Sequence, residues 1–272
     1  MAGVARHPRL RNPAKAAKDP MLLHTIESGE GPPVIFLHGL FGMARNFGSA
    51  QRALSPRFRV LAMDMRNHGA SPHQAGMAYP DLAADVRETM LAHGIEKAAV
   101  IGHSMGGKAA MALALQWPDL VGRLLVSDIA PVSYVHHNDT VASALKTLPL
   151  RADLTRQQAE QMLRDKVPNP AIRVFLLQNY NFGADAGWRI GLEEIADAIP
   201  DLEAWVDLPG PYTGPTLFVT GAKSDYVLPE HRPTIRTLFP AARFVAIKNA
   251  SHWVHADNPA GFQSVLDAFL AG

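Results

Sequence analysis

The sequence predicts an α/β fold: a mostly parallel sheet flanked by helices, with a helical lid inserted after the sixth strand. Two features predict it. From Pro33 onward, short β-branched or apolar runs alternate with alanine-rich helical stretches, the pattern of a parallel sheet covered on both faces. That rhythm breaks over residues 132–212, where helical patterns dominate, and then resumes.

Val34–Leu37 is the first clear buried strand, entered through the Gly31-Pro32-Pro33 turn. Val60–Met63, Ala98–Ile101 and Leu124–Ser127 are similar runs, each ending at a polar or glycine-containing turn; Thr216–Thr220 and Phe244–Ile247 follow the interruption. A hairpin around Met21–Glu27 can precede these six core strands. Helices are expected over Asp81–Ala92, Ser104–Gln116 and Pro259–Leu270, the last opening on a proline suited to a first helical turn. Inside the interruption, Thr155–Lys166 reads as helix, with amphipathic runs near Ile172–Gln178 and Leu192–Ala198. The expected division is a basic flexible tail over 1–20, a core over 21–131 and 213–272, and a helical lid insertion over 132–212. Long inserts in compact domains are usually functional, and one at this point of a sheet enzyme can shape the substrate pocket.

Composition narrows the function classes. With 272 residues, 47% hydrophobic and 19% charged, the chain can bury a sizeable core and lacks the signature of disorder. Its 26 Lys and Arg against 25 Asp and Glu leave a net charge of +1, so no global field favours nucleic acid or an anionic membrane. Without cysteine, a disulfide framework, a thiolate metal site and a cysteine nucleophile are excluded. The apolar runs fall far short of the roughly 18 residues of a membrane span, so no integral membrane segment is expected. Residues 1–18 carry Arg6, Arg9, Arg11, Lys15 and Lys18, no acidic residue, and the helix-breaking Pro8 and Pro13. They lack the serine and amphipathic helix of a transit peptide and the apolar stretch of a secretory signal, which makes a cytoplasmic location the expectation. Oligomeric state is not legible.

The central chemical signal is Gly102-His103-Ser104-Met105-Gly106-Gly107, set between an apolar strand and an alanine-rich helix. Gly-x-Ser-x-Gly alone is a common string, but this strand-to-helix context lets small residues flank a sharply turned serine whose hydroxyl projects above the sheet. Ser104 also sits at a helix N-terminus, where N–H groups and the dipole favour a developing oxyanion. A serine hydroxyl needs a positioned base. Among twelve histidines, His252 follows the last strand and precedes the final helix, which fits a Ser, acid, His chain order. His103 adjoins the nucleophile and its side chain must diverge from it, so it reads as support. His255 makes a His-x-x-His spacing with His252 but lacks the glutamate of metalloprotease helices, so no metal is expected.

Two carboxylates compete to orient His252. Asp128 follows the strand Leu124–Ser127; Asp225 follows the strand Thr216–Thr220 but comes one step after Ser224, the place where such an acid usually falls. A side chain one step late points elsewhere, so Asp128 is weighted above Asp225 and both are kept. Acyl transfer also needs two oxyanion N–H donors. Met105 supplies one, and the second is assigned to Leu40 within His38-Gly39-Leu40-Phe41-Gly42, with Phe41 as the alternative. His38 reads as a brace for that loop, and Asp64-Met65-Arg66-Asn67-His68-Gly69-Ala70-Ser71 as scaffold beside it. Tyr180, Phe182, Trp188 and Trp205 in the insertion read as packing rather than substrate contacts.

These strings, His-Gly-Leu-Phe-Gly from His38, Asp-Met-Arg-Asn-His-Gly from Asp64, Gly-His-Ser-Met-Gly-Gly-Lys from Gly102 and Ser-Asp-Ile-Ala-Pro-Val from Ser127, resemble the α/β-hydrolase superfamily. Within it they resemble the YbfF-type esterases and their mitochondrial abhydrolase relatives, over roughly Val34 to Leu270. The resemblance implies the α/β-hydrolase fold and a serine hydrolase of carboxylesterase or thioesterase type. Its substrate would be a small-molecule acyl ester or thioester of short chain, split without metal or organic cofactor. It also favours Asp128 as the acid, because that branch resembles this chain in lacking an acid at the Ser224 place. One departure is Ser251, which stands where glycine is usual before the histidine. The rival readings are a hydrolase-fold binder with little turnover, another serine chemistry of the superfamily (carbon–carbon hydrolysis, acyl transfer or perhydrolysis), and a structural interaction protein.

Overall fold

The computed structural model describes residues 21–134 and 138–272; the expected tail over 1–20 and residues 135–137 of the expected insertion lie outside them. In chain order the core runs β1 (Thr25–Ser28), β2 (Pro33–Leu37), α1 (Gly48–Leu54), β3 (Arg59–Met63), α2 (Tyr79–Ala92), β4 (Ala98–His103), α3 (Met105–Gln116) and β5 (Val121–Ser127). The interrupting segment supplies α4 (Asn138–Lys146), α5 (Arg156–Leu163), α6 (Pro170–Leu176), a two-stranded ladder of β6 (Tyr180–Asn181) and β7 (Gly187–Trp188), α7 (Leu192–Asp197) and α8 (Ile199–Glu203). The core resumes with β8 (Thr216–Gly221), α9 (Arg232–Leu238), β9 (Ala242–Ile247), α10 (Val254–Asp257) and α11 (Pro259–Ala271).

Among the described residues the sheet has seven strands, in the order β1-β3-β2-β4-β5-β8-β9. β1 pairs antiparallel with β3, and the other neighbours are parallel. The apolar runs are strands because every second residue serves a different core. Ile35, Leu37, Leu61, Met63, Val100, Leu124, Val126 and Phe218 pack on the face covered by α2, α3 and α9. Val34, Phe36, Val60, Ala62, Ile101, Leu125, Leu217 and Val219 pack on the opposite face, with Phe47 just before α1, Leu54 of α1, and Phe262 and Leu266 of α11.

The helical segment follows the fifth strand in chain order among the described residues, which corrects the expectation of the sixth. Met21–His24 adds no strand of its own because its backbone donors go elsewhere: Leu23 N–H to Thr89 Oγ1 at 2.9 Å and His24 N–H to Ser71 Oγ at 2.8 Å. The segment itself is tied into the core. Its Leu145, Leu163, Leu176, Ile195 and Leu202 share the cluster of α2 and α3. Asn179 Nδ2 donates to Phe41 O at 2.7 Å, and Tyr79 Oη donates to Leu202 O at 2.6 Å. Thr155 caps α5 through Gln158 N–H and Asn169 caps α6 through Ala171 N–H, which starts both helices where the sequence turns polar. No helix among the described residues is long and apolar enough to cross a membrane.

Because β2, β4, β5, β8 and β9 run parallel, their carboxyl ends share one edge of the sheet. The loops leaving that edge carry His38–Gly42, Ser104, Asp128, Ser224–Tyr226 and Asn249–Trp253. Crevices at that edge are where such sheets bind ligands.

Candidate active site

Ser104 occupies the turn between β4 and α3 with φ of +52° and ψ of −119°, in a region that non-glycine residues rarely adopt. Its N–H donates to Ser127 O at 3.0 Å, and its carbonyl accepts from Lys108 N–H at 3.0 Å, so both ends of the turn are held. The flanking glycines are required by close approach. A Cβ on Gly102 would lie 2.2 Å from Gly106 O, and one on Gly106 would lie 2.3 Å from Leu37 O. Phe41, Asp128 and Asn249 also have positive φ, at 59°, 56° and 60°. Strained residues therefore gather on the loops that meet at Ser104, as at functional sites generally.

His252 Nε2 is 3.0 Å from Ser104 Oγ, and its Nδ1 is 2.9 Å from Asp128 Oδ2. Asp128 is fully buried. Its Oδ1 accepts from Gly221 N–H at 3.0 Å, and its Oδ2 also accepts from the Ser224 hydroxyl. Ser224 thus fills the usual acid position with a donor that serves a carboxylate arriving from β5. Asp225 is exposed. Ser251, the departure from glycine, is pinned instead: its N–H and its hydroxyl donate to Asp257 Oδ2 at 2.7 and 2.5 Å.

Burial keeps the neighbouring imidazoles neutral. Burial holds His103 well below its ordinary value, and its Nε2–H donates to His252 O at 2.9 Å, fixing the backbone that carries His252. His38 is lowered as well; its Nδ1–H donates to Gly39 O at 2.8 Å and its Nε2 accepts from Met65 N–H at 2.9 Å. His68 is pushed down to about 3, with Nδ1–H donating to Arg66 O at 2.9 Å and Nε2 accepting from Phe41 N–H at 3.0 Å. The Phe41 N–H is therefore engaged. Leu40 and Met105 line the cavity with Ser104, and neither N–H donates to a described protein group. The scaffold reading of the Asp64–Ser71 turn has a physical basis: Asp64 accepts from Ala44 N–H at 2.7 Å and Ala70 N–H at 3.0 Å, and buried Arg66 pairs with Asp85.

A cavity of about 420 Å³ opens over Ser104, walled on the far side by Val141, Ile172, Phe175 and Leu202 of the interrupting segment. Tyr180, Phe182, Trp188 and Trp205 do not line it; Tyr180 packs on Phe182 and Trp188 at ring distances of 4.8 and 5.1 Å. Among the described residues no group of three or more histidines and carboxylates is arranged to hold a metal. His255 packs against Phe47 and His103, away from any second ligand set. What the constellation can do is polarise a hydroxyl, take up its proton, and present N–H groups to a charge that develops beside it.

The family described as alpha/beta hydrolase fold matches residues 32–259. The chain belongs to that family. The hydrolase is 40% identical over 249 residues to "sn-1-specific diacylglycerol lipase ABHD11" of Mus musculus, covering 88% of this chain and 81% of that one. It is 38% identical over 239 residues to "Esterase YbfF" of Escherichia coli (strain K12), covering 88% and 92% of the two chains. A solved structure, "Marine microorganism esterase", superposes with a TM-score of 0.88 at 35% identity, covering 92% of this chain and 99% of that one.

The hydrolase also brings to its cavity residues the sequence did not single out. Lys108 lies on α3 one turn beyond Ser104, buried, with Nζ donating to Ala204 O at 2.8 Å and Glu203 O at 3.2 Å. Burial lowers it to about 7. A lone cation inside an otherwise apolar helix, four residues from Ser104, was the available signal. Tyr226 stacks on His252, and nothing in the spacing announces it.

Proposed function

We propose that this hydrolase is a serine esterase that cleaves short-chain acyl esters or acyl thioesters through an acyl-enzyme intermediate. Ser104 is the nucleophile, His252 the general base and acid, and Asp128 the carboxylate that orients His252. The backbone N–H groups of Leu40 and Met105 are the oxyanion donors. The observation that carries the reading is the continuous relay from Ser104 Oγ to His252 at 3.0 Å and on to Asp128 at 2.9 Å. The names of these two relatives, an esterase and a diacylglycerol lipase, support ester hydrolysis.

In the first half-reaction, Ser104 Oγ bonds to the acyl carbon as its proton passes to His252 Nε2, and the carbonyl oxygen becomes an oxyanion beside the two N–H groups. The tetrahedral species collapses and His252 returns the proton to the departing alcohol or thiol. Water then repeats the sequence on the acyl-enzyme, releasing the acid and restoring the Ser104 hydroxyl. Every proton is accounted for by these groups, the ester and water, so the reading assigns no cofactor. Asp128 stabilises the imidazolium and its tautomer without being protonated itself.

The segment over 132–212 is proposed as a lid insertion on a core of 21–131 and 213–272. Support comes from Val141, Ile172, Phe175 and Leu202, which close the far wall of a cavity of about 420 Å³, a volume suited to small ligands. A cytoplasmic location belongs to the same proposal and is checked by fractionating cells that express the full chain. The function is tested with p-nitrophenyl esters of increasing acyl length beside a matching acyl-thioester series. The expected result is turnover that peaks at short chains and vanishes in Ser104→Ala. Turnover no greater than that of the Ser104→Ala control at every length sinks the proposal and favours a binder.

A further inference from the structure

The ring of Tyr226 lies face to face with the imidazole of His252, with centroids 3.6 Å apart and planes inclined by 18°. No other ring contact of His252 is so close: His103 is at 4.8 Å and Trp253 at 5.8 Å among the described residues. The stack is built from both sides. Tyr226 O accepts from Tyr134 Oη at 2.6 Å, and Tyr134 Oη in turn accepts from Ala130 N–H at 2.8 Å, which ties the Tyr226 loop to the loop that carries Asp128. Tyr226 N–H donates to Ser224 Oγ at 3.3 Å, and the Ser224 hydroxyl donates to Asp128. The residue before it, Asp225, is exposed, so this loop presents an aromatic face to the base where a carboxylate was weighed.

We infer that Tyr226 is a positioning residue whose ring face holds the His252 imidazole in register with Ser104 and Asp128 and stabilises its protonated form during acyl transfer. The inference rests on the hydrolase reading above. Two physical effects carry it. The imidazole has hydrogen-bond partners at its two nitrogens, which fix its plane along one axis only; a ring laid flat on it removes rotation about that axis. The face of an aromatic ring also carries negative potential, so it attracts the cation that forms when Ser104 gives up its proton. Burial and the nearby Asp128 carboxylate push the Tyr226 phenol up to about 12, so the ring stays neutral and the interaction is with its face, not with a phenolate. Among the described residues, the other titratable groups around His252 include Asp128 at Nδ1, His103 and His255 beside it, and Lys108, Tyr134, Glu203, Lys223 and Asp225 on the same cavity.

Tyr226→Phe and Tyr226→Leu, compared with wild type on one p-nitrophenyl ester, test this. The acid limb of kcat/KM reports the base of the free enzyme. The phenylalanine variant is expected to keep kcat and that limb. The leucine variant is expected to lose about ten-fold in kcat with KM little changed, and its acid limb to move down by about half a unit to one unit. Wild-type kcat and an unmoved limb in Tyr226→Leu would overturn the inference, as would equal losses in both variants. A variant-free measurement covers a leucine variant that does not fold: the carbon-bound protons of the His252 ring, assigned by NMR, should resonate upfield of an unstacked histidine because they lie over the Tyr226 ring. Unshifted resonances overturn the stack. That NMR result stands whether or not esters are turned over, so its failure and the failure of the hydrolase reading are separate outcomes.

Discussion

Phe41 N–H donates to His68 Nε2 at 3.0 Å, which commits one donor of the loop over Ser104 and requires that His68 stay neutral. Burial holds His68 at about 3 in the folded chain, against an ordinary value of 6.5. Between those values the unfolded chain binds a proton that the folded chain refuses. The contribution of His68 is thus complete above about 6.5 and is lost as pH falls towards about 3. Urea unfolding between pH 7.5 and pH 4 is expected to show wild type losing stability more steeply than His68→Leu. Parallel slopes would remove His68 from the account.

The choice between the two carboxylates becomes a kinetic contrast. Asp128→Asn is expected to lower kcat by about 10⁴, because the amide no longer holds the His252 tautomer. Asp225→Asn, at an exposed position, is expected to stay within a few-fold of wild type. Small, equal losses from both would mean that the relay lacks a member.

Gly106 is fixed by contact rather than by dihedral preference. Its added Cβ would lie 2.3 Å from Leu37 O, backbone that cannot swing away. Gly106→Ala should cost about 1–3 kcal/mol in denaturant unfolding. Gly187→Ala, where the nearest atom is Asp185 O at 3.9 Å, should fall within about 0.5 kcal/mol of wild type.

Lys108 joins α3 to the end of the interrupting segment through Glu203 O and Ala204 O. Lys108→Met leaves those carbonyls without that donor and should destabilise the fold by about 1–3 kcal/mol. Hydrogen exchange is expected to quicken in α8 before it does in α3. Unchanged protection of α8 would show that the contact holds nothing in place.

Much of the fold was legible because parallel strands buried on both faces leave unbroken apolar runs. Val34–Leu37 and Leu124–Ser127 needed only short extension, to Pro33–Leu37 and Val121–Ser127. The short helices α1, α4, α8, α9 and α10 were not read, since so few turns leave too few repeats of the helical period. The strand count before the insertion failed where Leu23 and His24 spend their donors on Thr89 and Ser71 side chains, a long-range choice that no local pattern carries. At the site, Ser104 and His252 were marked by motif and chain order. The contact that engages the Phe41 N–H with His68 joins residues 27 apart, which no local pattern carries. Tyr226 depends on a ring orientation reached only when three loops converge.

The most direct measurement of the central claim is intact-mass and peptide mapping after exposure to a fluorophosphonate, run beside ester turnover. The account predicts a single adduct on Ser104, loss of turnover in step with labelling, and neither labelling nor turnover in Ser104→Ala. An adduct on another residue, or wild-type turnover persisting in Ser104→Ala, would contradict it.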